Sequence, residues 1–164
     1  MSKKGTYQVH HLFNELAKST KSVGISGTIS ALQQNQKFFR NHFEAIKSFI
    51  LKKSSLEFNM DETSMIKGKG RSDNRMYALS FATVLLLKYL KINGTQAGEI
   101  LEKDDSSICR FKKNIRSLKS NLVKEKELMD KMSIMELEVE AYIDMLNQHK
   151  YKNLVNEQQS SKVK

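Results

Sequence analysis

Residues 94–121 read GTQAGEILEKDDSSICRFKKNIRSLKSN, and this stretch decides the fold. Gly94 interrupts the helix before it, and Thr95 can cap a short helix through Leu101. A turn over Glu102 to Asp105 follows, and a second helix starts at Ser106. Gly98 puts a small residue where the second helix must cross the first. Two short helices joined by a tight turn follow the grammar of a helix-turn-helix, with an ordinary helical hairpin as the alternative. In the second helix Ile108, Phe111, Ile115 and Leu118 make one apolar stripe. Arg110, Lys112, Lys113, Arg116 and Lys119 leave its other faces basic. Asp104 and Asp105 favour the positive end of the helix dipole and can cap it. Ser106 and Ser107 are small polar residues in the first turn, where a reading helix meets base edges. A carboxylate only accepts hydrogen bonds. Asp105 therefore either faces a cytosine amino group or caps the helix without touching DNA.

Working upstream, residues 78–90 (ALSFATVLLLKYL) are apolar on most sides and read as a buried core helix, with Ser72 and Asp73 as N-caps. Before it lies a basic loop, Lys67-Gly68-Lys69-Gly70-Arg71, and Asp61-Glu62-Thr63 can start a brief turn through Ile66. Over residues 31–53, Phe39, Phe43, Ile46 and Ile50 step by four and three and predict one helical stripe. Residues 19–30 (STKSVGISGTIS) lack apolar periodicity and read as a flexible linker. Val9, Leu12, Phe13, Leu16 and Ala17 share a face of a first, short helix. Downstream, Leu128, Met132, Met135, Val139, Tyr142 and Leu146 form a heptad seam of under three heptads. That seam either pairs two chains or folds back on the N-terminal helices. The tail from residue 156 (NEQQSSKVK) is polar and reads as disordered.

The chain has 164 residues and a net charge of +10, which favours a polyanionic partner, nucleic acid or an anionic membrane surface. Proline and tryptophan are absent, and the composition favours helices over strands. A single cysteine excludes an intramolecular disulfide. Its place beside Ile108 predicts a packed thiol. No signal peptide or bilayer-length span is visible, so the chain is expected to be cytoplasmic and nucleoid-associated. His10, His11, His42 and His149 are scattered and form no metal-ligand spacing. No catalytic constellation is present, so the chain is expected to be no enzyme and to need no cofactor.

The order of these features resembles the C-terminal DNA-binding domain of the bacterial replication initiator DnaA, a relative of the Trp-repressor fold. Residues 66–71 (IKGKGR) look like that family's basic loop, and the helix from Tyr77-Ala78 like its long helix. Ala97-Gly98 stands where the family has Ile-Gly. Residues 103–108 (KDDSSI) stand where it has Arg-Asp-His-Ser/Thr-Thr-Val, with one residue missing from the turn before Asp104. The resemblance implies an all-α fold with helical extensions. With the patterns read along the chain, this divides it into an N-terminal helix and linker (1–30), the helix-turn-helix domain (31–121), an amphipathic helix (122–155) and a tail (156–164). The resemblance implies Arg71 as a minor-groove arginine, Lys67 and Lys69 as phosphate contacts, and Lys103, Asp104, Ser106 and Ser107 at signature positions. Arg110, Lys112 and Lys113 complete the expected DNA-binding set. Two departures alter these expectations. Asp105 replaces the family's histidine, which changes the sequence preference, and Leu79-Ser80 replaces its Arg-Gln, which removes a backbone contact. No nucleotide-binding loop is found, since residues 68–71 lack the spacing and the preceding strand. The expected partner is double-stranded DNA, read by a transcriptional regulator or an origin- or terminus-binding factor, with a homodimer through Leu128–Leu146 as a further expectation. The rival reading is a helical protein-interaction adaptor whose basic face only solvates it. A peripheral membrane binder is disfavoured by apolar faces patterned like a core.

Overall fold

The computed structural model describes residues 3–70 and 72–160. All regular structure among them is α-helical: α1 (Lys3–Glu57), α2 (Glu62–Lys67), α3 (Asp73–Tyr89), α4 (Gly94–Leu101), α5 (Asp105–Arg116) and α6 (Val123–Ser160). The chain divides into two compact units, Met1–His42 and Phe43–Lys164, and α1 runs through both. No helix among the described residues is long and apolar enough to cross a membrane.

In the first unit the stretch expected as a linker is helical on both sides of Gly24. Ser, Thr and Gly lower helix propensity without forbidding a helix. The helix is broken only at Gly24 itself, whose φ of 76° and ψ of 170° belong to a region that side chains exclude. One turn later the Thr28 hydroxyl donates to the Gly24 carbonyl at 2.9 Å, and Thr28 is buried. Ile25, Ile29, Leu32 and Phe39 are exposed. Of the expected apolar stripe Phe39, Phe43, Ile46 and Ile50, Ile46 and Ile50 are buried and Phe39 is exposed. Ala17 is exposed, and Val9, Leu12, Phe13 and Leu16 lie outside the described side chains.

The second unit is built around α3. Ala78, Leu79, Phe81, Ala82, Leu85 and Leu86 are all buried, so apolar residues lie on nearly every side of this helix, as its central position requires. Ile46, Ile50 and Leu51 from α1 share its core with Ile108 and Phe111 from α5. The Phe58 ring meets Phe81 edge-on, with centroids 5.1 Å apart. Met132, Met135 and Val139 of α6 complete the core, flanked by the half-buried Leu128 and Leu146. Tyr142, also in the seam, stacks on Phe49 at 4.2 Å.

The heptad seam is thus occupied within its own chain, and a homodimer through Leu128–Leu146 would have to open this core. Ion pairs fix its register: Lys53 to Glu138 at 2.7 Å, Lys131 to Glu57 at 2.8 Å and Lys88 to Glu136 at 2.9 Å. The Tyr89 hydroxyl donates to Glu140 at 2.7 Å. Half-exposed pairs of this kind contribute little each, so the apolar seam supplies most of the docking energy. Among the described residues, the buried Ser54 hydroxyl has no hydrogen-bond partner. The helix α6 continues to Ser160, so residues 156–160 are helical where a disordered tail was expected, and residues 161–164 lie outside the described part.

The two sides of α6 should respond differently to truncation. Met135→Ala, at a buried position, is expected to cost about 2–5 kcal/mol in urea unfolding. Leu137→Ala, at a position 65% exposed, should stay within about 0.5 kcal/mol. Equal effects would show that the seam does not face the core.

Candidate nucleic-acid interface

The turn between α4 and α5 is constrained by the backbone. Glu102 caps α4 in the left-handed region (φ 54°, ψ 47°), and its N–H reaches the Glu99 and Gly98 carbonyls. The Lys103 N–H donates to the Gly98 carbonyl at 2.9 Å. A Cβ at position 98 would lie 2.5 Å from the Lys103 carbonyl oxygen and would meet Ile108, so only glycine allows this crossing. The start of α4 differs from the sequence expectation. Asn93 rather than Thr95 is its cap, in a reciprocal capping box with Gln96.

At the start of α5 the two acidic residues separate. Asp104 is the N-cap: its carboxylate accepts the Ser107 N–H at 2.6 Å and the Ser106 hydroxyl at 2.8 Å. Those two donors, the N–H first, hold its carboxyl below the ordinary value. The helix therefore begins at Asp105, one residue earlier than expected. Asp105 is exposed, does not cap, and has no hydrogen bond or ion pair among the described residues. The capping alternative considered for Asp105 belongs instead to Asp104. Because the Ser106 hydroxyl donates its proton to Asp104, it faces solvent as an acceptor.

Along α5, Ile108 and Phe111 are buried, while Asp105, Ser106, Cys109, Arg110, Lys113 and Arg116 form the outward face. Cys109 is exposed rather than packed, because one residue beyond Ile108 is a rotation of about 100° around the helix. Arg110 lies over the Phe111 ring, 5.7 Å from its centroid. Ser107 and Lys112 are half-buried at the flanks. The helix ends at Arg116 with Ser117 as its C-cap, so Leu118 and Lys119 fall beyond it. Leu79 and Ser80 face inward, and Asn114 Nδ2 of α5 approaches the Ser80 hydroxyl at 3.4 Å. Leu79 and Ser80, where the resemblance implied a lost backbone contact, are thus packed between helices.

Sequence reasoning missed Arg75. Its Nε donates to the Met65 carbonyl at 2.9 Å, one terminal nitrogen to Ile66 at 3.1 Å and the other to Gly70 at 3.0 Å. The Lys103 ammonium donates to the same Ile66 carbonyl at 2.7 Å and to Glu102 at 3.1 Å. Burial, and then the neighbouring Arg75 charge, pull that ammonium below its ordinary value. Lys103, expected at the nucleic-acid surface, is therefore directed inward and ties the basic loop to the turn. The only sequence signal for Arg75 was a cation one turn into α3, at the end where the helix dipole disfavours it. Lys67 makes a solvated 3.5 Å pair with Glu102, and Lys69 is exposed. Arg71 lies outside the described residues. The loop and α5 share a cleft of about 300 Å³, in which Gly70, Arg75 and Lys103 meet Arg110 and Phe111. Comparison of the chain with family models, with curated proteins and with solved structures gives no match.

Two outcomes follow from this geometry. Arg75→Ala should lower stability by about 1–3 kcal/mol, since charged hydrogen bonds to three carbonyls are lost. It should also raise hydrogen exchange at the end of α2. Arg75→Lys should not rescue it, because an ammonium cannot reproduce the guanidinium fork. The second outcome concerns Asp104. A carboxyl held below its unfolded value near 3.8 contributes stability above that pH and loses it as pH falls through the folded value. Asp104→Asn keeps a capping side chain, so unfolding at pH 7 should change little. At about pH 3 the loss of stability should be smaller than in the parent chain.

Proposed function

We propose that this chain is a sequence-preferring double-stranded DNA-binding protein of the helix-turn-helix type. In this reading it is akin to the DnaA C-terminal domain, with the outward face of α5 in the major groove. The observation that carries the reading is the joint built by Arg75 and Lys103. It holds a glycine-rich basic loop against the turn that starts α5, so two cationic segments far apart in sequence act as one surface. Short polar groups at the tip of a helix, with cations one and two turns behind them, suit base edges flanked by phosphates.

The roles within the surface divide by chemistry. Arg110, Lys113 and Arg116 on α5, with Lys69 and Arg71 in the loop, supply phosphate or minor-groove contacts. Lys67 joins them when its solvated pair with Glu102 exchanges. Ser106 and Asp105 present acceptors at the tip, which match the amino groups of cytosine and adenine. Asp104 and Lys103 organise the surface rather than touching DNA. The chain works in this reading as a regulator or an origin- or terminus-binding factor, in the cytoplasm and on the nucleoid, without cofactor or catalysis.

The native cysteine offers a direct test of helix placement. Duplex DNA should protect Cys109 from maleimide, and a chain alkylated at Cys109 beforehand should lose binding. The five cations named for α5 and the loop at Lys69 and Arg71 imply that affinity falls with salt at a log–log slope of about −4 to −5. A flat salt response together with unprotected Cys109 would overturn the reading in favour of a protein-interaction adaptor.

A further inference from the structure

Beside the outward face of α5, a groove of about 470 Å³ opens where the end of α3, the loop after it and the second half of α5 converge. Its floor is aliphatic: Val84, Leu87, Ile92 and Ile115 line it, each half-buried against the core. No aromatic ring and no carboxylate is among its lining side chains. The side chains that bring polarity are Lys88, Lys112, Arg116 and Asn93. The Asn93 side-chain oxygen is already committed as the α4 cap, accepting the Gln96 N–H at 2.9 Å. Glu136 and Glu140 of α6 engage Lys88. Lys112 and Arg116 make no ion pair among the described residues. Lys91, exposed in the adjoining loop, adds further positive charge.

We propose that this groove binds a free aliphatic carboxylate, its chain on the four aliphatic side chains and its head group on Lys112 and Arg116. Three features select that ligand. The first is size, since small-molecule sites span about 300–1,000 Å³. A helix with its side chains is about 10–12 Å across, so the same volume holds only about one turn, too little for a helical partner. Second, the two unpaired cations can donate and cannot accept, which calls for a ligand that accepts hydrogen bonds and carries negative charge. Third, an aliphatic floor rewards burial of methylene groups and offers no ring face for stacking. Arg116 also belongs to the proposed DNA surface, so an occupied groove opposes DNA binding. That consequence rests on the DNA-binding reading, whereas occupancy of the groove is measured without DNA.

Titration of the full chain with sodium decanoate, followed by amide NMR, should shift the signals of Leu87, Ile92, Gly94 and Ile115 along one saturable curve. Affinity should rise about four-fold for each methylene added from hexanoate to decanoate. Uncharged 1-decanol should bind about tenfold more weakly or worse, having lost the charged hydrogen bonds. The double variant Lys112→Gln with Arg116→Gln should lose a similar factor for decanoate, with its melting unchanged. Saturating decanoate should raise the melting temperature of the parent chain, as a ligand of the folded state does. It should also weaken duplex DNA binding by the parent chain. A chain that takes decanoate but never binds DNA would refute the DNA-binding reading and leave the groove standing. The proposal is overturned if millimolar decanoate shifts none of these amides, or if chain length or the carboxylate makes no difference. It is overturned equally if the double variant binds decanoate as the parent does, or if decanoate lowers the melting temperature as a detergent would. A Glu- and Leu-rich helical peptide that shifts these amides where decanoate does not would replace the ligand by a protein partner, and so overturn it too.

Discussion

The last carbonyls of a helix have no partner within it, and at the end of α2 they face the start of α3. Arg75 meets this need with three donors of one rigid fork, directed at Met65, Ile66 and Gly70. Lys103 takes the Ile66 carbonyl as well. Two like charges are thus held close together by backbone oxygens, an arrangement that would repel itself without them. The position of the basic loop, the direction of the turn and the mouth of the cleft beside Arg110 all depend on this exchange of carbonyl for cation. A lysine or glutamine at position 75 would serve one carbonyl and leave the others to water.

The elements of the second unit were legible because their signals were local. Of the two caps suggested for α3, Ser72 is the N-cap, and the turn expected to start at Asp61 is α2 with Asp61 as its N-cap. The apolar saturation of residues 78–86 fits only a central helix. Gly98 was legible for the same reason, since its need is steric and lies within one turn. What the sequence did not reveal depended on distance along the chain. Arg75 meets its carbonyls five to ten residues upstream, and Lys103 reaches back 37 residues to Ile66. No periodicity records such contacts. The exchange of roles between Asp104 and Asp105 was illegible for a different reason. Both are good caps, and a shift of one residue in the turn decides between them. The linker expectation failed because composition lowers helix propensity without forbidding a helix.

Charge in this molecule is partitioned by element. The stretch 127–144 of α6 carries six carboxylates and a single lysine, and three of those carboxylates answer Lys53, Lys88 and Tyr89 across the core. On α5, four cations stand against one acid within Asp105–Arg116. The net charge of +10 therefore understates the contrast between surfaces. A polyanion meeting this protein encounters faces of opposite sign, and orientation on approach follows from that contrast.

The Ser54 hydroxyl on α1 is fully buried and has no hydrogen-bond partner among the described residues. In energy-landscape terms it is a point of local frustration, a side chain whose chemistry disagrees with a well-formed surrounding. The folded state carries a desolvated dipole there that the unfolded chain leaves in water. Replacing that oxygen by hydrogen, as alanine does, relieves the native state alone and leaves every interhelical contact of the backbone intact. That single desolvated oxygen opposes the stability that the surrounding apolar packing supplies.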